Sequence, residues 1–569
     1  MHPRSQFVEE LRARLLAHAG KVLLRIAVSP DFERPHEFTG EALLDRAEHL
    51  ASSFAFARER SVVLLLLPHS QELFLLQLGL VLCGHIPAVL AWPTNRVDAE
   101  KYQRNLVHQL SHLPADQLIT LPRLAGNLRG SLPYPVAGLA IENAAGFEKI
   151  FPAAPVMRNL ERGEFPVHNA TPDPDTVFLQ FSGGTTGAQK AIVVTSGMLC
   201  AQFRDLAEAL AFSPSDTVVS WLPMYHDMGL IACYWLPLWH GASSLQMAAN
   251  DWILNPGLLP KYIQRFRGSI CWLPNFAFSY LSQRREQLPA HNLASMRAWI
   301  NCSEPVRLKS LQQFASSFAD CGVRQETLQA SYAMAETVFA ITQTKLGEPP
   351  ATIPRAQVRR ANHAHSDLAF DLLDPVYVSS GRPLCGTEVR IVAPDGSLCP
   401  EAAPGEIHVR APSLFSGYWG ARGFQTHSLN DGWHATGDFG FLSGCELFVI
   451  GRFKDIIIVG GNNIFPEDVE AAVNTLDGIY PGRVVAFGVE DPEIGTQSLA
   501  VVAEMQGEFL EDAAQALEAA IRKLVLTTIG TAARHVAAVP RRWIVKSTAG
   551  KISRGETRER FLREFLNQA

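Results

Sequence analysis

The sequence predicts an α/β protein, with a large N-terminal domain over residues 1–452 and a small α+β domain over 453–569. Three observations predict it. At 569 residues the chain is far longer than one ordinary core supports. Strand-like runs such as TVVSWLP, GSICWLP and MRAWINCS alternate with longer helical stretches through most of the first 450 residues, which favours layered α/β architecture. Near residue 450 the texture changes: FVIGRFKDIIIVGGNNIFPEDVEAAV reads as strand, charged turn, strand, Gly/Asn loop, then a helix beginning near Pro466. A boundary at Arg452–Lys454 leaves a C-terminal piece of roughly 115 residues, an ordinary domain size.

The elements follow in order. The opening MHPRSQFVEELRARLL is charged and amphipathic and holds no apolar signal core. The most apolar stretch, SVVLLLLPHSQELFLLQLGLVLCG, is broken by Pro68, His69, Gln71 and Glu72. It predicts a buried strand at Val62–Leu67, a turn, and a buried helix from Glu72 to Cys83, and not a membrane span. Two β-rich runs, Val177–Phe181 and Ile192–Thr195, flank a polar loop. Residues 344–377 hold several Pro, His and Arg residues with no clear periodicity, and a structureless connection of that length is often functional.

Composition narrows the function. Hydrophobic residues make up 47% and charged residues 19%, the balance of a soluble globular chain. A formal net charge of −6 argues against a nucleic-acid partner. Nine dispersed cysteines with no CxxC pair predict reduced core thiols, hence a cytoplasmic protein.

The loop FSGGTTGAQK carries the strongest chemical signal. Ser182, Gly183, Gly184, Thr185, Thr186 and Gly187 offer hydroxyls and unhindered backbone N–H groups, and Lys190 adds a positive charge. Glycines let amides approach phosphate oxygens closely, so the loop suits a polyphosphate; a polar hairpin turn is the alternative. The spacing is not GxxxxGK[ST], and a strand follows instead of a helix, so it is not a Walker loop. Gln180 excludes a GxSxG nucleophile elbow.

The loop resembles the phosphate-binding motif of the acyl-adenylate-forming superfamily: acyl-CoA synthetases, peptide-synthetase adenylation domains and fatty acyl-AMP ligases. WLPMYHDMGL, NCSEPV, SYAMAET, SSGRP, GEIHVR, WHATGDFG, GRFKD and STAGKISR resemble further motifs of it, in order, over nearly the whole chain. YHDMGLI, NCSEPVR and LPNFAF are most similar to the fatty acyl-AMP ligase branch. The resemblance implies several subdomains in the large domain, a mobile C-terminal domain, ATP and Mg²⁺ as cofactors, and a carboxylic-acid substrate. In that branch an insertion, here at 344–377, restrains the C-terminal domain and disfavours CoA. The implied acceptor is the phosphopantetheine arm of an acyl carrier protein, although GGNNIFPEDVE resembles the pantetheine-side motif of CoA ligases.

Residue roles are implied by the same resemblance. Lys551 bridges the substrate carboxylate and the α-phosphate, and Glu336 holds Mg²⁺, a hard cation suited to a carboxylate. The Ser182–Gly187 loop and Lys190 embrace the β- and γ-phosphates, although Gly183, Gln189 and Ala191 depart from the usual pattern. Asp438 and Arg452 bind the ribose hydroxyls. Tyr332 stacks on adenine opposite Ser303, Glu304 and Pro305, with Ala333 standing where the family usually has glycine. His226 resembles the aromatic gate beside the carboxylate, with a structural histidine as the alternative; metal binding is excluded for it and for His363 and His365. Lys454 is the hinge.

Three other functions stay open: an acyl-CoA synthetase, an amino-acid adenylation enzyme given Asp227, and a non-catalytic adenylate-binding protein. Tyr234, Trp235, Trp239, Trp272, Phe276 and Phe278 supply an apolar pocket that suits fatty and aryl acids alike.

Overall fold

The computed structural model describes residues 3–92, 102, 106, 109–110, 113–129, 132, 134–141, 173–182, 190–358, 376–420, 423–427, 429–459, 462–491, 496–546 and 552–566. The expected α/β architecture is present. Two large sheets dominate the chain up to about residue 426. One runs Gly423–Thr426, Gly417–Gly420, Ala191–Thr195, Thr176–Phe181, Ile86–Val89, Val62–Leu66, Gln117–Thr120 and Val136–Gly138. The other runs from Arg382–Pro383 through Ala340–Gln343, Leu328–Ala333, Ala298–Asn301, Ile270–Leu273, Thr217–Ser220 and Ser243–Met247 to Val22–Val28 and Asp31–Thr39.

The apolar stretch near residue 70 folds as its pattern requires. Val62–Leu66 is fully buried between the parallel neighbours Ile86–Val89 and Gln117–Thr120, which explains a continuous run instead of alternation. Helix Gln71–Leu82 starts at Ser70, whose Oγ accepts from the Leu73 N–H at 3.4 Å, and is buried from Leu73 to Leu82. Among the described residues, no helix is long and apolar enough to cross a membrane.

A four-stranded antiparallel sheet, Glu388–Val392, Gly405–Arg410, His434–Ser443 and Glu446–Arg452, leads into the C-terminal region. There the strands Ile479–Asp491, Thr496–Met505 and Ala533–Val539 form a sheet sandwiched between two helices. Alternation along the strands sorts the side chains. Val484, Ala486, Leu499 and Val501 share a core with Ile521 and Val525 of helix Glu511–Ile529. Val485, Phe487, Ala500 and Val502 share another with Phe561 of helix Arg554–Phe565. These cores are separate from the large N-terminal one.

Three local expectations are corrected. Asn462–Ile464, read as part of a Gly/Asn loop, is a strand that pairs antiparallel with Ile457–Val459 before helix Pro466–Val473. Within 344–377, Thr352–Pro354 and Val376–Val378 form an antiparallel pair and Arg355–Gln357 a short helical turn, because the apolar Ile353, Val358 and Tyr377 pack on Phe439, Phe441 and Phe448. His363 and His365 lie outside the described residues. Among the cysteines, all free, Cys233, Cys271, Cys302 and Cys321 are core thiols as expected, but Cys385 and Cys445 are exposed.

Candidate active site

The site is assembled where the small antiparallel sheet meets the end of the long one. Strands His434–Ser443 and Glu446–Arg452 pair so that Asp438 faces Arg452, and Arg452 Nε donates to Asp438 Oδ1 at 2.8 Å. Gly437 precedes the aspartate with φ of +72°, a left-handed conformation that favours glycine, at an irregular point of the strand His434–Ser443. The Asp438 N–H donates to Thr436 Oγ1 at 3.0 Å, while that hydroxyl donates to Ile407 O at 2.8 Å. Tyr332, at the end of strand Leu328–Ala333, donates its hydroxyl to the other Asp438 oxygen. Burial, reinforced by the Asp438 charge, pushes the Tyr332 phenol well up, and the Asp438 charge holds Arg452 firmly protonated. Both carboxylate oxygens are thus engaged, one by a phenol and one by a guanidinium.

Glu336 sits in a tight turn, Ala335–Thr337, that ends at Val338 with φ of +68°, strained for a β-branched residue. The strain is held from two sides. The Gln180 amide donates to the carbonyls of Ala335 and Val338, both at 2.9 Å, and the Phe415 N–H donates to Glu336 O at 2.8 Å. Burial raises the Glu336 pKa, with Asp227 adding to the effect and Arg452 opposing it. A half-buried carboxylate that shares electrostatic surroundings with Asp227, Asp438 and Arg452 is a fitting oxygen donor for a hard cation.

His226 and Asp227 close the turn before Met228–Trp235, a helix wound as a π-helix. Such wide turns often mark functional sites. His226 Nδ1 lies 2.5 Å from Asp227 Oδ1, and the Met228 N–H donates to Asp227 Oδ1 at 2.8 Å. The aspartate therefore serves the helix start and its neighbouring imidazole. A Cβ on Gly229 would stand 2.2 Å from Pro223 O, so only glycine permits this chain approach.

The NCSEPV turn is shaped by Asn275, whose side-chain oxygen accepts from Asn301 Nδ2 at 2.9 Å and from the Arg307 N–H at 3.2 Å. Ser303 adopts a φ of +76° and its hydroxyl donates to Met228 Sδ at 3.9 Å. Glu304 accepts from the Phe276 N–H at 3.0 Å, at the start of helix Asn275–Ser282, and Pro305 is half-buried. At the neck of the FSGGTTGAQK loop, Ser182 N donates to Lys190 O at 3.0 Å and Lys190 N to Ser182 Oγ at 3.3 Å. Gly183, Gly184, Thr185, Thr186 and Gly187 lie outside the described residues, as does Lys551. Lys546 and Ile552 bridge on either side of Lys551's segment. Lys454 is exposed in the turn Phe453–Asp455.

The aromatic candidates are corrected. Tyr234, Trp235, Trp239, Trp272 and Phe278 are buried in the main core, where Trp235 stacks on Phe178 and Trp239 on Phe7. Phe276 is 42% exposed and lies edge-on to Trp221 and Trp252, which stack on each other at 4.1 Å.

Residues 17–419 match the family described as AMP-binding enzyme. The chain belongs to that family. Among curated relatives, the putative fatty-acid–CoA ligase FadD21 of Mycobacterium tuberculosis is 30% identical over 427 residues, 69% of this chain and 71% of that one. JamA of Moorena producens, a medium-chain-fatty-acid–[acyl-carrier-protein] ligase, is 29% identical over 69% of this chain and 68% of its own. Among solved structures, one from a study of fatty acyl-adenylate ligases of E. coli and L. pneumophila shares the fold with a TM-score of 0.77 at 22% identity, covering 99% of this chain and 98% of that one. The L. pneumophila fatty acyl-adenylate ligase in complex with acyl adenylate and pyrophosphate matches with a TM-score of 0.66 at 25% identity, over 99% and 96% of the chains. This AMP-binding enzyme is therefore an adenylate-forming ligase.

Sequence reasoning passed over several residues on which the arrangement depends. Gln180 was noted only for what it excludes, yet a lone amide in the apolar strand run VFLQF signals a buried polar partner. Asn275 and Arg307 lie within LPNFAF and NCSEPVR, but the resemblance implied no role for either, and Arg355 carried no motif signal. Arg355 makes paired bonds of 2.9 Å to Asp468, in the first turn of helix Pro466–Val473, and its guanidinium lies over the Tyr377 ring at 4.3 Å. Arg307 donates to Glu467 O at 3.2 Å and lies 3.7 Å from Asp468.

Proposed function

We propose that this enzyme activates a fatty or other apolar acyl or aryl acid with ATP and transfers the acyl group to the phosphopantetheine thiol of an acyl carrier protein. In the first step a carboxylate oxygen bonds to the α-phosphorus and the bond to the bridging β-oxygen breaks, releasing pyrophosphate. In the second, the thiol attacks the acyl carbonyl and AMP departs. The observation that carries the first step is the convergence of Tyr332, Asp438 and Arg452 beside half-buried Glu336. Asp438 and Arg452 hold the ribose hydroxyls, and the Tyr332 ring lines the base site with Ser303, Glu304 and Pro305. The loop of Ser182 and Lys190 binds the terminal phosphates, and Lys551 stabilises charge on the α-phosphate. His226 borders the carboxylate, its ring fixed by Asp227. Glu336 is the residue that would hold Mg²⁺, which supplies neutralising charge at the phosphates when bound.

The carrier-protein assignment draws support from the contact between the inserted segment and the C-terminal region. We assign 1–452 and 453–569 as separate domains, turning about Lys454 in the cytoplasm. Arg355, on the inserted segment, grips Asp468 across that boundary, and Phe439 packs on Phe465 with ring centroids 5.7 Å apart. Burial pushes the Asp468 carboxyl up, but Arg355 and Arg307 outweigh it and hold the group below the usual range, so the pair stays charged. A clamp of this kind favours one domain orientation, and free CoA has little surface with which to select another. The test is to screen acids for pyrophosphate release, then supply CoA or holo-carrier protein and follow the adenylate. Release with apolar acids, followed by consumption with holo-carrier, is expected. Rapid consumption by CoA alone would instead establish an acyl-CoA synthetase, the function that the GGNNIFPEDVE motif resembles.

A further inference from the structure

The segment 415–420 contributes to the site although no motif pointed to it. Strand Gly417–Gly420 pairs antiparallel with Ala191–Thr195, setting Tyr418 opposite Ile192 and Trp419 opposite Ala191. Trp419 is buried and its Nε1 donates to Pro114 O at 2.7 Å, which pins the strand from the far face. Successive side chains of a strand point to opposite faces, so Tyr418 is directed to the other side, toward the neck of the phosphate loop. There two functional groups meet it. The Lys190 ammonium lies 4.7 Å from the centre of its ring, and its hydroxyl donates to Glu336 Oε1 at 3.5 Å. Phe415, three residues earlier, packs edge-on to the Tyr418 ring at 4.8 Å and donates its N–H to the Glu336 carbonyl.

We propose that Tyr418 is a positioning residue of the nucleotide site: its ring face seats Lys190 and its hydroxyl orients the Glu336 carboxylate. The proposal rests on the reading of Lys190 as a phosphate ligand and Glu336 as the Mg²⁺ ligand. One rigid phenol touches both, which sets the spacing between the cation that meets the terminal phosphates and the carboxylate that meets the metal. Lys190 is exposed and long, and without a seat its ammonium would sample many rotamers. No second cation intrudes on the ring from His427, whose centroid is 5.9 Å away, because burial and then the Lys190 charge lower its pKa.

The two halves of the phenol separate by substitution. ATP binding is measured by calorimetry with and without Mg²⁺ for the wild type, Tyr418→Phe and Tyr418→Leu, alongside thermal stability. Tyr418→Phe keeps the ring, so Mg²⁺-free affinity stays within about twofold while the extra affinity conferred by Mg²⁺ shrinks. Tyr418→Leu loses the seat as well, and Mg²⁺-free ATP binding weakens by about fivefold. Unchanged affinities in both variants, or equal losses with and without Mg²⁺ that follow a drop in thermal stability, would overturn the proposal. A wild type that binds no ATP under either condition would overturn the adenylation reading itself.

Discussion

The Asp438–Arg452 corner and the seam with the C-terminal region are both built from arginine–carboxylate pairs, but they are anchored differently. Asp438 and Arg452 sit opposite each other on adjacent strands of one sheet, so backbone register holds the pair whatever the C-terminal region does. Arg355 and Asp468 join an inserted segment of the large region to a helix whose core is separate. Arg554 braces the same helix from within the C-terminal region, with Glu467 at 3.2 Å, Asp455 at 3.5 Å and Glu470 in direct contact. A pair within one sheet keeps its geometry in any domain orientation. In the proposed cycle of two orientations, a pair across two cores would exist in one of them only and would act as a latch whose strength sets how often that orientation is left.

The sharpest division between the two regions is expected from Lys551, which on the proposed reading is supplied by the C-terminal region. Lys551→Ala is expected to lower adenylation by about a hundredfold with ATP affinity nearly intact, since the lysine meets charge that develops during reaction. Pyrophosphate release and calorimetry check this; weakened ATP binding with unchanged turnover would contradict it. Next in size, Asp438→Ala removes the acceptor that organises Tyr332 and Arg452. ATP and AMP affinity should both fall by about tenfold or more, because a charge-assisted bond is lost and two donors are left without it.

How much of this was legible varies with the physics. The clustering of Tyr332, Asp438 and Arg452 was readable because they belong to short contiguous stretches with fixed backbone geometry, and the structure brings those three together. The α/β layering was equally readable from buried runs such as Val62–Leu66. Arg355 was not, because its partner lies 113 residues away and nothing in an irregular, charged segment says which carboxylate it meets. The aromatic residues were misjudged for the opposite reason: an apolar ring in a helix such as Met228–Trp235 packs equally well against a ligand or a core, and sequence period does not distinguish them.

The seam itself yields two smaller effects. Arg355→Ala leaves Asp468 with Arg307, 3.7 Å away, and should raise acyl transfer to CoA by roughly fivefold without improving adenylation. Stability should also respond to pH. Burial pushes the Glu467 carboxyl up to about 7, with Arg554 pulling it back and Glu470 adding to the rise. A raised folded-state value means that the folded protein binds the proton more tightly than the unfolded chain does. The stabilisation is therefore fully present below the ordinary glutamate value and is lost as pH rises through about 7. Thermal melts from pH 5 to 8 should show this loss in the wild type, and Glu467→Gln should flatten it.

The measurement that tests the latch most directly is the fate of acyl-AMP formed by the unmodified enzyme and by Arg355→Ala, each followed with CoA and with a cognate holo-carrier protein. The unmodified enzyme is expected to accumulate acyl-AMP with CoA and to consume it with holo-carrier, while Arg355→Ala consumes it with either. Rapid acyl-CoA formation by the unmodified enzyme, or a variant no faster with CoA than its parent, would contradict the latch.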